Sequence, residues 1–239
     1  MTTRREGRVR VSESEVLRRV KEFDCRYRRM ERVLWCLSKE ARTCLLRARR
    51  CQVVEVFVRK IRSWWGVRGV SGADEQATVR ALLSGPWEPQ WFGPVEDFGD
   101  DARDFAVGRV RELVGRILRE GGRRREWSLS SKVLHWLMPW RVPAYDAFVR
   151  KALGVRSNGD HEAAYAEVVG RVFDLATCLR SKSAGWMGTL EPASPLRALD
   201  KYLWLEGYRS VTDKPPQAAV VRDPERVLRD LGLGCESDG

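Results

Sequence analysis

The sequence predicts an all-α, or nearly all-α, fold, and three observations carry that expectation. Apolar residues recur at intervals of three and four along most of the chain, and a serine or aspartate stands ahead of several such stretches, where a helix cap belongs. No convincing alternating strand ladder, internal repeat or low-complexity block interrupts them. With 239 residues, 43% of them hydrophobic, the chain can build a real core as one large domain or two small lobes.

The elements follow in chain order. "SESEVLRRVKEF" opens with a serine-acid capping signature, and Val16, Val20 and Phe23 share a helical face, so two or three helices are expected over residues 12–65. Within that stretch "CQVVEVFVRK" becomes a strand if its β-branched residues outweigh their helical neighbours. "GVRGVSGADE" is a turn-rich break, with Ser71 or Asp74 as cap for "EQATVRALL". Residues 84–101, with three prolines and four aromatic residues, form a long aromatic loop, either a packed structural lid or a carrier of ligand-contacting groups. An amphipathic helix follows, with acids first, arginines later and a Gly-Gly stop.

In "EWSLSSKVLHWLMPW" Ser130 or Ser131 is expected to cap a helix whose first turn holds Lys132 and whose end is set by Pro139. "WRVP" turns the chain and Asp146 begins the next helix, so Lys132 and Asp146 can face one another across the turn. Further helices are expected in "GDHEAAYAEVVGRVFDLATCLR" and in "SPLRALDKYLWLEG", the latter capped by Ser194 and stopped at Gly207. One short helix is expected in the polar tail. The expected organisation is an N-terminal helical region over 1–72, a core over 73–210 and a tail over 211–239.

A formal charge of +11 at pH 7 favours a polyanionic partner. No apolar run approaches the roughly 18 residues of a membrane span, and the N-terminal residues carry no apolar signal core, so a cytoplasmic protein without a membrane partner is expected. Six cysteines without a CxxC pair argue against a zinc ribbon or iron–sulfur site, and no metal or cofactor is expected. Cys25, Cys36, Cys44, Cys51, Cys178 and Cys235 are expected to be buried reduced thiols. Eight lysines stand against 36 arginines, which draws attention to each lysine, because arginine cannot give up its proton to act as an amine nucleophile.

The expected helix start ahead of Lys132 can hold a phosphate on its free backbone N–H groups, and Arg123, Arg124 and Arg125 stand just upstream as a phosphate-binding or merely solvated run. Ser130, Ser131 and His135 complete the candidate DNA contacts, with a packed histidine on a semi-apolar helix as the favoured role for His135. The order Lys132, apolar helix, Val142-Pro143, Asp146, helix resembles the catalytic segment of the helix-hairpin-helix DNA glycosylase superfamily, above all its 8-oxoguanine glycosylase-like branch. "PLRALDKYLWLEG" resembles the closing helix of small bacterial members. The resemblance covers about residues 128–154 and, more weakly, 192–207. The family's G-x-G hairpin is replaced here by "WSLSSK", and the interval from lysine to aspartate is shorter.

The resemblance implies a two-lobed helical fold around a cleft, with Lys132 as amine nucleophile and Asp146 as essential carboxylate. Its partner is double-stranded DNA with a modified base flipped out, bound by a monomer. The residue types fit that chemistry: breaking an N-glycosidic bond builds positive charge on the sugar, which a carboxylate stabilises, while an amine attacks C1′. Trp136, Trp140, Tyr145, Phe148, Trp87, Trp91 and Phe92 are candidates for a pocket holding the flipped base. His161 is expected at the surface, and Asp200 and Trp204, one helical turn apart, within the core. Oxidised guanine follows from the resemblance; a bulky hypermodified base of phage DNA, and hence phage defence, is the other expectation. A non-catalytic nucleic-acid-binding module and a protein-interaction module remain as alternatives.

Overall fold

The computed structural model describes residues 11–47, 51–65, 67, 69–95, 97–180, 194–212 and 221–234. Among them the chain is all-α and contains no strand. The elements are α1 (Glu13–Leu46), α2 (Gln52–Trp64), α3 (Gly72–Leu83), a short 3-10 turn (Pro89–Phe92), α4 (Asp100–Arg119), α5 (Trp127–Leu137), α6 (Ala147–Leu153), α7 (His161–Arg180), α8 (Pro195–Arg209) and α9 (Arg226–Asp230).

Ser12 caps α1 by accepting from Glu15 N, and Ser71 caps α3 in a reciprocal box with Asp74. The possible strand is instead α2. Its Val54, Phe57, Val58 and Ile61 form one fully buried helical stripe, and burying that stripe outweighs the weak β preference of its valines. Gly121 ends α4 at φ +87°, a conformation that favours glycine, and Gly122 N closes the turn on Ile117 O at 2.8 Å.

Two expectations about local structure need correction. Gly207 does not stop α8, which continues to Arg209; a Cβ there would collide with the backbone carbonyl of Phe148, so this glycine lets α6 pack closely on α8. Nor are the cysteines uniformly buried thiols. Cys44, in the last turn of α1, is disulfide-bonded to Cys51, which precedes α2, because the reversal between the helices leaves their Cα atoms 6.1 Å apart. Cys36 is disulfide-bonded as well, Cys25 and Cys178 are free but exposed, and Cys235 lies outside the described residues.

The main core runs through α1 to α8, so the N-terminal helices share one packed interior with the rest of the chain. Helix α5 lies within it, buried from Leu129 to Leu137. From α1, Ser38 Oγ (2.5 Å) and Arg42 Nη2 (3.0 Å) both donate to Trp136 O near the end of α5. Helix α8 is tied to α1 by buried ions: Arg197 pairs with Glu31, and Lys201 with Glu31 (2.6 Å) and Asp24 (2.5 Å). Removing one partner of such a set typically costs about 3–5 kcal/mol, because the other is left charged and unpaired. These contacts fix α1, α5 and α8 around the space described next.

Candidate active site

Between α1, the end of α2, the start of α5, the turn into α6 and α8 lies a cavity of about 690 Å³. Both Lys132 and Asp146 line it, although 14 residues of chain separate them. Lys132 Nζ is 3.4 Å from Asp146 Oδ2, with side chains only 5% and 9% exposed. The ammonium also donates to Trp65 O at 3.0 Å. Asp146 Oδ1 accepts from Phe148 N and Val149 N, both at 2.8 Å, so the carboxylate caps α6 with one oxygen and meets the lysine with the other.

The route from lysine to aspartate is held at each step. Pro139 follows the end of α5 at Leu137, and Val142 N returns to Met138 O at 3.0 Å. His135 Nδ1 donates to Val142 O at 2.7 Å, and the buried Tyr165 hydroxyl donates to Pro143 O at 3.2 Å. Ser131 Oγ accepts from Tyr145 N at 3.1 Å. A turn whose polar backbone is satisfied in this way holds Asp146 in place without needing the lysine to do so.

Those bonds correct the expected capping. Helix α5 begins at Trp127, after Glu126, so Lys132 lies in its second turn, and Ser130 and Ser131 are interior residues with no exposed surface. The apolar face continues back through Leu129 to Trp127, and burying that face extends the helix past the serines. They therefore offer no phosphate a helix start. His135 is 1% exposed and holds the turn instead of a ligand.

The aromatic candidates divide sharply. Tyr145 and Phe148 line the cavity. Trp136 does not: it is 1% exposed, edge-on to Trp65 at 5.8 Å and beneath the Arg197 guanidinium at 4.6 Å. Trp140 packs edge-on to Trp35 and does not line the cavity. Trp87, Trp91 and Phe92 form their own cluster, with Arg109 3.9 Å above the Trp91 ring. Of the arginine run, all three are exposed but only Arg125 lines the cavity; Arg123 gives its backbone N–H to Asp74 Oδ1 at 2.7 Å.

Residues that the sequence reading did not assign to a pocket complete the walls. Trp204 and Tyr208 stack at 5.4 Å and 17°, with Phe148 and Phe23 edge-on to Trp204 at 5.4 and 5.7 Å. Tyr27 and Trp65 extend the same surface. The available signal was a pair of aromatic residues one turn apart on each of two helices, Phe23 with Tyr27 and Trp204 with Tyr208, and the Trp64-Trp65 pair. Asp200, expected in the core, also lines the cavity, and so does His161, exposed at the surface with its Nδ1 3.1 Å from the Tyr145 hydroxyl. Glu126 borders the cavity too, and burial, aided by the charge of Asp74, pushes its carboxyl pKa up. Burial likewise raises Tyr27 and Tyr145, keeping both hydroxyls protonated as donors.

Chemically, the cavity combines a buried amine, a fixed carboxylate, aromatic faces and two arginines, Arg125 and Arg150, beside them. Among the described residues no group of three or more His, Cys, Asp or Glu side chains could hold a metal ion, and no helix is long and apolar enough to cross a membrane. No protein-family model matches the chain, and no curated protein or solved structure is detectably similar to it.

Proposed function

We propose that the protein is a DNA glycosylase that excises a modified base, in base-excision repair or in defence against phage carrying hypermodified DNA. The observation that carries the reading is the Lys132–Asp146 pair, 3.4 Å apart in the wall of one aromatic cavity. An aromatic cavity of this size suits a flipped nucleotide, which surrenders stacking in the duplex and regains it on protein rings. Its volume, near the middle of the range for small-ligand pockets, leaves room for a base with a substituent. The excess positive charge of the chain favours the DNA partner.

In this mechanism the Asp146 carboxylate faces the sugar and stabilises the positive charge that develops as the C1′–N bond lengthens. Lys132, once it has lost a proton, gives its nitrogen lone pair to C1′. The bonding pair of the broken bond leaves with the base, which takes up a proton, and Glu126, with its raised pKa, is placed beside the cavity as a donor. Opening of the sugar, with the proton from nitrogen passing to O4′, converts the adduct to an imine, from which β-elimination can follow as a lyase step.

The test is abasic-site formation on duplexes containing oxidised, deaminated, alkylated or phage-hypermodified bases, with wild type, Lys132→Gln and Asp146→Asn in parallel and borohydride added to trap an imine. Product from wild type that is lost with Asp146→Asn supports the glycosylase. One observation favours a non-catalytic nucleic-acid-binding module: the Lys132 amine is engaged by both Trp65 O and Asp146. Salt-sensitive DNA binding without product from any duplex would select that reading.

A further inference from the structure

A third carboxyl side chain, besides Asp146 and Glu126, lines the same cavity. Asp200 stands on α8 one turn before Trp204, its side chain 10% exposed. Its Oδ2 accepts from Arg197 Nη1 and lies 3.7 Å from His135 Nε2. The Arg197 bond falls on Oδ2 and leaves Oδ1 for a ligand.

The buried charges behind α8 say what kind of ligand that oxygen needs. Arg197 and Lys201 supply two positive charges, while Glu31, Asp24 and Asp200 supply three negative ones. Glu31 spends both oxygens, one on Arg197 and one on Lys201, and is 3% exposed. Asp24 is one-quarter exposed and meets water. The acceptor left over inside the cavity is therefore Asp200. An ionised carboxylate accepts and cannot donate, so a carbonyl oxygen brought against it is repelled and an N–H is bound by a charge-assisted hydrogen bond. Arg125 and Arg150 border the same cavity with the opposite charge. That polarity suits a nucleotide whose phosphates meet the arginines while its base edge meets Asp200.

We propose that Asp200 is the specificity-determining residue: it accepts from an exocyclic amine, so the cavity takes cytosine-, adenine- or guanine-type bases and disfavours uracil-type bases. A uracil edge flanks its one ring N–H with carbonyl oxygens on both sides, whereas cytosine N4 is a donor that Asp side chains accept from. This assignment rests on the glycosylase reading.

The experiment is single-turnover base release from duplexes carrying 5-hydroxymethylcytosine, 8-oxoguanine or 3-methyladenine. Each is compared with the counterpart in which a carbonyl replaces the amine or, for guanine, the 2-amino group is absent. Sites built to bond a substrate N–H reject analogues lacking it by up to about 10⁴–10⁵-fold, so for any released base the amine member should leave at least about 100-fold faster. Asp200→Asn, whose amide can turn an N–H toward a carbonyl, should cut that ratio at least about tenfold. Equal release within each pair by wild type overturns the assignment while leaving the glycosylase intact, and so does an unchanged ratio in a folded Asp200→Asn. No release from any duplex overturns the glycosylase reading and the assignment with it. If Asp200→Asn fails to fold, the wild-type ratio alone decides.

Discussion

Two aromatic clusters of this molecule look alike in composition and differ in what they enclose. One joins Trp87, Trp91, Phe92 and Phe105 along the loop and α4; its rings meet each other at 6.0–6.4 Å and the Arg109 guanidinium lies over them. The other brings Phe23 and Tyr27 from α1, Phe148 from α6, and Trp204 and Tyr208 from α8. The first cluster comes from neighbouring segments and fills its own interior. The second comes from three separate helices, whose axes hold the rings around a space that none of them fills. A cavity needs walls from different elements, so the density of aromatic residues in one stretch of sequence is a poor guide to it.

The largest effect that tests this contrast is at the charged pair. Asp146→Asn should lower single-turnover base release about 10²–10⁴-fold, the range for losing a preorganised electrostatic group, while the amide still caps α6 and preserves the melting temperature. A matched loss of melting temperature would make Asp146 a structural cap only.

Next is the difference between the clusters themselves. Trp204→Ala should reduce kcat/KM about 5- to 160-fold, because stacking of a base on an aromatic ring contributes ~1–3 kcal/mol. Trp87→Ala should leave kcat/KM unchanged and lower stability by about 2 kcal/mol or more through lost packing, together with the bond from its Nε1 to Leu82 O. Steady-state kinetics and thermal melting on both variants separate the two roles; a kinetic effect from Trp87→Ala would give the loop cluster a place at the ligand.

A smaller effect is expected at the turn that aims Asp146. Ser131→Ala leaves Tyr145 N without its acceptor and should cost about 1–2 kcal/mol of stability. If the loosened carboxylate matters to the reaction, kcat falls about tenfold with little change in KM. Unchanged kcat would mean that Tyr165 and His135 suffice to hold the turn.

The smallest effect is at Asp74, which does not itself line the cavity. Burial would raise the Asp74 carboxyl, but hydrogen bonds from Ser71 and Arg123 N outweigh it and leave its pKa below the ordinary value of 3.8. Because the folded value is the lower one, its stabilisation is present above pH 3.8 and disappears as the pH falls through the folded pKa. Asp74→Asn should therefore lower stability by about 1 kcal/mol at pH 7, and the difference from wild type should close below that range. Melting curves from pH 7 to pH 2 measure it.

The helices were largely legible because they are written locally. Ser12, Ser71, Asp146 and Ser194 each stand before a periodic apolar stretch, and each accepts the backbone N–H expected of a cap. Proximity of Lys132 and Asp146 was legible as well, since a proline-broken turn between two helices returns the chain. The serines before Lys132 misled because their local capping preference was overridden by the apolar face from Trp127 to Leu137, which buries them. Gly207 misled for a related reason: its role is set by Phe148 on another helix. Trp204 and Asp200 look like core residues in the sequence because one helix alone does not reveal whether the face opposite is filled. The disulfide likewise depends on how two helix ends meet.

The central claim is that the Lys132 amine and the Asp146 carboxylate act on one sugar carbon, and the most direct measurement is peptide mapping by mass spectrometry of the protein–DNA adduct trapped with borohydride. The account predicts a reduced adduct on Lys132 that forms with wild type and is lost with Asp146→Asn. Base release with the adduct on another amine, or an adduct at Lys132 that persists undiminished without the carboxylate, would contradict it.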